Sequence, residues 1–170
     1  KLRKAGYDTH IDDGSRSDHE LVLQARAEGR WLLTSDCRME EIKASHGYLV
    51  CLKSRKAEDW AKWLTRQIGV NWLHRPFSRC LECNETLVPA SPGSECLVPE
   101  NVRALPRKEC PGCRKIFWEG SHVRKMRAEL ESWQNKNGPP SLGEPLSSLG
   151  RALPCVSVFP TVAAGFRQGD

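Results

Sequence analysis

The sequence lacks any long hydrophobic run. Its longest apolar stretches, Trp31–Leu33 and Tyr48–Leu52, are far too short to cross a bilayer, which takes about 20 consecutive apolar residues. The basic residues Lys1–Lys4 are not followed by the apolar core that a signal peptide has. We therefore expect an intracellular protein, in the cytoplasm or the nucleus, with no membrane partner.

We expect no export signal, and this expectation bears on the eight cysteines of the chain. Without such a signal they are expected to be thiols and metal ligands rather than a disulfide framework. Cys51 is expected to be buried in a strand and Cys37 to be exposed, while Cys96 and Cys155 lie in a loop and in the C-terminal tail. None of these four has a neighbour that indicates catalysis.

Net charge is also low, at +5 for the 170 residues, and it is concentrated in one segment. Between residues 101 and 130, eight basic side chains stand against three glutamates, a balance of +5, so the rest of the chain sums to zero. A concentrated basic surface is a candidate binding site for phosphate groups. The basic residues are Arg103, Arg107, Lys108, Arg114, Lys115, Arg124, Lys125 and Arg127.

Residues 1–69 alternate between strand-like and helix-like segments. This alternation predicts an α/β fold, in which a parallel sheet is flanked by helices. Ser17–Glu20 has the Ser-x-x-Glu spacing of a capping box at a helix start, and Gly6 stands where it would close the end of an earlier helix. The predicted strands are Tyr7–Ile11, Trp31–Thr34 and Tyr48–Leu52, and the predicted helices begin after Ser17 and at Ala57.

The two ends of the chain differ from this pattern. A parallel α/β domain normally starts with a strand, whereas this chain opens in what is expected to be the last turn of a helix. We therefore expect the N-terminal strand of the domain to be missing. Residues 134–170 hold five prolines and five glycines with little periodicity, which predicts a disordered tail.

Two C-x-x-C pairs carry the strongest chemical signal. Cys80 with Cys83, and Cys110 with Cys113, can each place two thiolates on a tight turn facing one tetrahedral zinc ion. The alternatives are a redox dithiol or four unrelated core cysteines, but a redox pair needs no second copy. The spacing therefore predicts a zinc ribbon whose zinc is structural, because four protein ligands leave no open position.

Two aspartates are candidate ligands for a different kind of metal site. Asp18 opens a predicted helix and Asp36 follows a predicted strand, so both can lie at the carboxyl edge of one sheet. Hydrolysis of a phosphodiester by two metal ions needs several carboxylates that converge on hard cations. The alternative is that Asp18 favours the helix dipole and Asp36 begins a turn. Asp12 and Asp13 lie in a polar loop and are expected to be solvated.

Several motifs occur in the order found in one known family. Gly6–Thr9, Ser17–Leu21 and Glu28–Asp36 resemble a PIN-like ribonuclease domain, and Pro76–Asn84 and Cys110–His122 are more specific. Together they resemble the Mut-7 C-terminal RNase domain family, a PIN-like domain with an attached zinc ribbon, over about residues 1–130.

The resemblance implies metal-dependent cleavage of RNA, with Mg²⁺ or Mn²⁺ as the catalytic cofactor and Asp18 and Asp36 as metal ligands. In animals the domain lies at the C-terminal end of Mut-7-like 3′–5′ exonucleases, which implies an upstream exonuclease domain as a partner. The family's first metal-binding aspartate lies on a strand before Leu2, and Arg38 stands where the family often has an acid. With two carboxylates carried over, we expect a weak or inactive nuclease.

Cations and aromatic residues are mixed in the segment after the second cysteine pair. This mixture suits single-stranded nucleic acid, because phosphates meet the cations and bases stack on the rings. The alternative is that the aromatic residues pack internally and the cations are merely solvated. The candidate RNA-binding residues are Arg114, Lys115, Trp118, His122, Arg124 and Lys125.

Two functions remain open at this point. The first is the C-terminal domain of a metal-dependent nuclease acting on RNA. The second is a non-catalytic module whose ribbon binds RNA or a protein. In either case we divide the chain into a truncated PIN-like domain (1–75), a zinc ribbon with a basic helix (76–133) and a disordered tail (134–170).

Overall fold

The computed structural model describes residues 1–138 and the backbone of residues 155–159. Within these ranges the chain forms strands, α-helices and short 3-10 turns. In chain order the strands and α-helices are β1 (Asp8–Ile11), α1 (Asp18–Ala27), β2 (Trp31–Thr34), β3 (Leu49–Cys51), α2 (Ala57–Ile68), β4 (Val88–Pro89), β5 (Arg107–Glu109), β6 (Ile116–Trp118), α3 (Ser121–Asn137) and β7 (Cys155–Phe159).

The chain divides into two compact units. One unit comprises Lys1–Asp8 together with Gly69–Leu142, and it contains all four cysteines of the two C-x-x-C pairs. We call it the cysteine unit. The other comprises Thr9–Ile68 together with Gly143–Asp170, and we call it the sheet unit.

The sheet unit is built on a four-stranded sheet in the order β1, β7, β2, β3. Strand β2 pairs in parallel with β3 on one side and with β7 on the other. All four residues of β2 are buried, as is typical of a central strand in a parallel sheet. The predicted α/β fold with a parallel sheet is therefore confirmed.

Strand β7 falls in the segment for which the sequence predicted a disordered tail. No strand was predicted there, because the segment has little periodicity. The rest of that segment from residue 139 onward, namely 139–154 and 160–170, lies outside the described residues.

Helix α1 begins at the capping box that the sequence predicts. The Ser17 hydroxyl accepts a hydrogen bond from the N–H of Glu20 at 3.4 Å, and the Glu20 carboxylate accepts one from the N–H of Ser17 at 2.8 Å. The buried face of α1 then packs on the sheet. This core cluster comprises Leu21, Val22, Ala25, Leu32 and Met39.

The cysteine unit opens with a tight closing turn. The N–H of Tyr7 donates to the carbonyl of Leu2, and that of Gly6 donates to the carbonyl of Arg3, both at 3.1 Å. This pair of bonds is the one that closes a helix on a left-handed residue, as was predicted for Gly6. Gly6 has φ +93°, and a Cβ there would overlap the carbonyl oxygen of Arg75. Only glycine fits this position without a rearrangement.

Helix α3 extends past the predicted domain boundary at residue 133. Trp133 is 4% exposed, and its ring meets that of Trp72 edge to face, with 4.9 Å between the centroids. The side-chain oxygen of Gln134 accepts a hydrogen bond from the N–H of Trp72 at 2.8 Å. These contacts continue the helix to Asn137.

Two expectations about side chains in the sheet unit are wrong. The cysteines were expected to be thiols or metal ligands, but Cys37 and Cys51 are joined by a disulfide. Cys51 is paired with Thr34 across β2 and β3, and this brings its Cα to 5.4 Å from that of Cys37. Asp12 is 5% exposed rather than solvated. It accepts a hydrogen bond from the N–H of Gly14 at 2.8 Å, which folds the loop back over the carboxylate.

Among the described residues, no helix is both long enough and apolar enough to cross a membrane.

Candidate metal centre and nucleic-acid interface

The two C-x-x-C pairs lie on loops of the same backbone geometry. In each loop the first cysteine, Cys80 or Cys110, donates its N–H to the carbonyl five residues later, at 2.8 and 3.0 Å. Its own carbonyl accepts the N–H four residues later, at 3.1 and 2.9 Å. That residue is left-handed in both loops, with φ 72° at Asn84 and 62° at Arg114. The repeated turn aims both sulfurs of each pair to one side.

The four sulfur atoms of these pairs form one compact cluster. They lie within 4.8 Å of one another, with 3.6 Å between the sulfurs of Cys80 and Cys113 and 3.2 Å between those of Cys83 and Cys110. Four sulfurs at ~2.3 Å from a central zinc ion would be separated by ~3.8 Å. The cluster therefore fits a tetrahedral structural metal such as zinc, which would fix both loops.

Burial disfavours the charged form of two thiols in the cluster. Burial raises the pKa of Cys110 to about 12 and also raises that of Cys80, and both residues are 0% exposed. The pKa of Cys83 is lowered to about 7, chiefly by a hydrogen bond from the backbone of Glu85. Deprotonated buried thiolates need a compensating positive charge, which a metal ion supplies.

Charged residues beside the cluster are joined in ion pairs. Glu109, which precedes Cys110, is 4% exposed and pairs with Arg114 at 2.8 Å. It also accepts hydrogen bonds from the N–H and the hydroxyl of Ser91, which lower its pKa. Lys115 pairs with Glu82 at 3.2 Å. Two of the predicted RNA-binding cations thus also brace the two cysteine loops.

Three other predicted RNA-binding residues share one open cleft. Trp118, His122 and Arg124 line a cleft of about 760 Å³ beside β6 and the start of α3. Trp118 is half-buried, whereas His122, Arg124 and Lys125 are exposed. All six predicted RNA-binding residues belong to the cysteine unit. Their role in binding RNA stays a prediction.

Asp36 lies beyond the end of β2 and is held by its neighbours. Its N–H donates to the hydroxyl of Thr34 at 3.0 Å, and its carboxylate accepts the N–H of Arg38 at 3.0 Å. The guanidinium of Arg38 also binds this carboxylate, with Nε 3.0 Å from Oδ1 and Nη2 2.6 Å from Oδ2. These hydrogen bonds lower the pKa of Asp36 to about 2.

Asp18 is the first residue of α1 and is exposed. The pKa of Arg38 is raised mainly by its hydrogen bonds to Asp36. The negative charges of Asp36, Asp18 and Glu41 raise it further. The two predicted metal ligands therefore act on the same cation.

The described residues do not fit a two-metal site at this edge. Within residues 1–138, the cysteine cluster alone brings three or more metal-ligating groups together. Asp12 adds no ligand next to Asp36, because it follows β1 and β7 lies between β1 and β2 in the sheet. A catalytic role for Asp18 and Asp36 stays a prediction.

Sequence reasoning missed two features of this region. Arg38 was seen only as a departure from the family, although an Asp-x-Arg spacing at the start of a turn allows a direct ion pair. The burial of Asp12 had a weaker signal, namely the glycine two residues later, which favours a turn that bends back onto the aspartate.

The comparisons with known proteins agree with the order of the sequence motifs. A family model described as the Mut7-C RNAse domain matches residues 1–130. The description associates the chain with nucleases and with RNA. No curated protein matches the chain, and no solved structure matches it.

Proposed function

Because the chain belongs to the Mut7-C RNAse domain family, we propose that it binds single-stranded RNA through its cysteine unit, which a structural zinc ion stabilises. The observation that carries the proposal is the cleft lined by Trp118, His122 and Arg124 in the segment that holds the whole net charge. The zinc ion would be held by Cys80, Cys83, Cys110 and Cys113.

The chemistry of this cleft matches the two parts of a nucleotide. The half-buried indole of Trp118 offers a flat apolar face, and stacking of one base on an aromatic ring contributes about 1–3 kcal/mol. The exposed cation Arg124 lines the same cleft, and the exposed Lys125 follows it on α3, so that both can meet phosphates. The paired cations Arg114 and Lys115 contribute less, because Glu109 and Glu82 already neutralise them.

The test is the affinity of the zinc-loaded chain for a labelled single-stranded RNA, measured by fluorescence anisotropy. Trp118→Ala should weaken binding by about 5- to 150-fold, the equivalent of one lost stacking contact. The matched control is Trp63→Ala on α2, an exposed tryptophan of the sheet unit, which should leave the affinity within about twofold. Equal effects of the two substitutions would contradict the proposed interface.

A second candidate function is RNA hydrolysis, which the family match favours. In this proposal the sheet unit is a PIN-like nuclease domain of a 3′–5′ exonuclease, and Asp18 and Asp36 hold Mg²⁺ or Mn²⁺. Two carboxylates supply little charge for two metal ions, so turnover by this chain should be slow. Mn²⁺-dependent cleavage of labelled RNA should be weak and should disappear in Asp36→Asn. Strong cleavage that survives Asp18→Asn and Asp36→Asn would place the active site elsewhere.

A further inference from the structure

The Asp36 carboxylate already has a cation on both of its oxygens. The guanidinium of Arg38 contacts them through two nitrogens, at 3.0 Å and 2.6 Å, and the N–H of Arg38 adds a third contact at 3.0 Å. Such a fork matches a carboxylate more closely than a lysine ammonium does. A metal ion would bind Asp36 through these same carboxylate oxygens, which already bind Arg38.

Arg38 is also the one cation of its turn, residues 36–41, which carries three carboxylates. Besides Asp36, the turn holds Glu40 and Glu41. Both of these residues are exposed, whereas Asp36 is half-buried. A single cation therefore stands among the carboxylates of this turn.

We infer that Arg38 replaces a divalent metal ion at this edge of the sheet and weakens the binding of Mg²⁺ or Mn²⁺ to Asp36. This inference goes beyond the proposed RNA interface and does not depend on it, because it concerns a different unit and a different ligand. It also predicts that hydrolysis in the second candidate function is slow, since a metal ion must first displace the guanidinium.

The strength of this competition follows from charge. A divalent ion that binds Asp36 must break the ion pair between Asp36 and Arg38. It is also repelled by the positive charge of the guanidinium, which remains within a few ångströms. Because the Arg38 side chain is 84% exposed, solvent screens both effects. Removing the guanidinium should therefore tighten metal binding by about tenfold at low salt.

The experiment is a Mn²⁺ titration of the full chain, followed by the electron paramagnetic resonance signal of free Mn²⁺. The protein is saturated with zinc first, so that the four cysteines do not bind the probe. Arg38→Gln should lower the dissociation constant by about tenfold, and Arg38→Lys, which keeps the charge but not the fork, by about two- to threefold. Asp36→Asn in the Arg38→Gln background should remove the gained affinity.

The matched control is Arg55→Gln, which removes one positive charge from another exposed position of the same unit. It should change the dissociation constant less than twofold. Equal Mn²⁺ binding by the wild type and Arg38→Gln would overturn the inference, and so would a gain in Arg38→Gln that survives Asp36→Asn. Neither readout involves RNA, so a failure of the RNA-binding proposal is recognised separately.

Discussion

Replacing Cys110 by serine tests whether the four-cysteine cluster supports folding through a metal ion. Cys110 is 0% exposed, and its sulfur lies 3.2 Å from that of Cys83. Serine has nearly the same shape but is a poor ligand for zinc. The substitution therefore removes one of four ligands without crowding the loop.

The expected loss can be worked from the site. Zinc binding contributes about 10 kcal/mol to the folding of small zinc domains, so one of four ligands accounts for roughly 3 kcal/mol. A hydroxyl buried in place of the Cys110 thiol costs about another 1 kcal/mol. The total of about 4 kcal/mol is comparable with the whole stability of a small domain. Cys110→Ser should therefore unfold much of the cysteine unit.

The assay is amide hydrogen exchange with a parallel measurement of bound zinc. Residues of the cysteine unit should lose protection in Cys110→Ser, while Thr9–Ile68 of the sheet unit keeps part of its protection. The control is Cys96→Ser, an exposed free cysteine of the same unit, which should retain both the zinc and the protection. Wild-type zinc content and protection in Cys110→Ser would refute the reasoning.

Three further predictions concern the local structure. In urea denaturation, Gly6→Ala should lower the free energy of unfolding by more than about 2 kcal/mol, because the new Cβ overlaps the backbone of Arg75 and the left-handed conformation is strained. Gly29→Ala has the same left-handed strain but open space around the new Cβ, so it should lower the free energy of unfolding by about 1 kcal/mol. Equal losses in the two variants would contradict the overlap at Gly6. Ser17→Ala should cost about 1 kcal/mol through the lost cap, and an unchanged urea midpoint would contradict the capping box. Glu109→Gln should lower the thermal midpoint, because the buried group loses the charge that binds Arg114 and that strengthens its hydrogen bonds from Ser91; an unchanged midpoint would show that this charge contributes nothing.

Local signals in the sequence predicted much of the fold. The Ser-x-x-Glu spacing at Ser17 gave the start of α1, because both capping contacts join residues three positions apart. The four-cysteine cluster was also predicted, since each pair lies on one short turn of characteristic spacing. The closing turn at Gly6 depended on the backbone freedom of one residue.

Features that depend on distant partners were missed. The last turn of α3 is held by Trp72, which lies 61 residues before Trp133 in the chain and is invisible to helical periodicity. The disulfide between Cys37 and Cys51 follows from the register of β2 against β3, which composition does not give. The same holds for β7, whose pairing with β2 joins segments more than 100 residues apart.

The most direct test of the central claim is the salt dependence of RNA binding by the zinc-loaded chain. In a plot of the logarithm of affinity against the logarithm of salt concentration, the slope for single strands is about −0.7 per phosphate contact. The double variant Arg124→Gln/Lys125→Gln should flatten this slope by about 1.4 and weaken binding. The control Lys62→Gln/Arg66→Gln, which removes two exposed cations from α2, should leave the slope unchanged. Equal slopes for the wild type and the Arg124/Lys125 variant would contradict RNA binding through this surface.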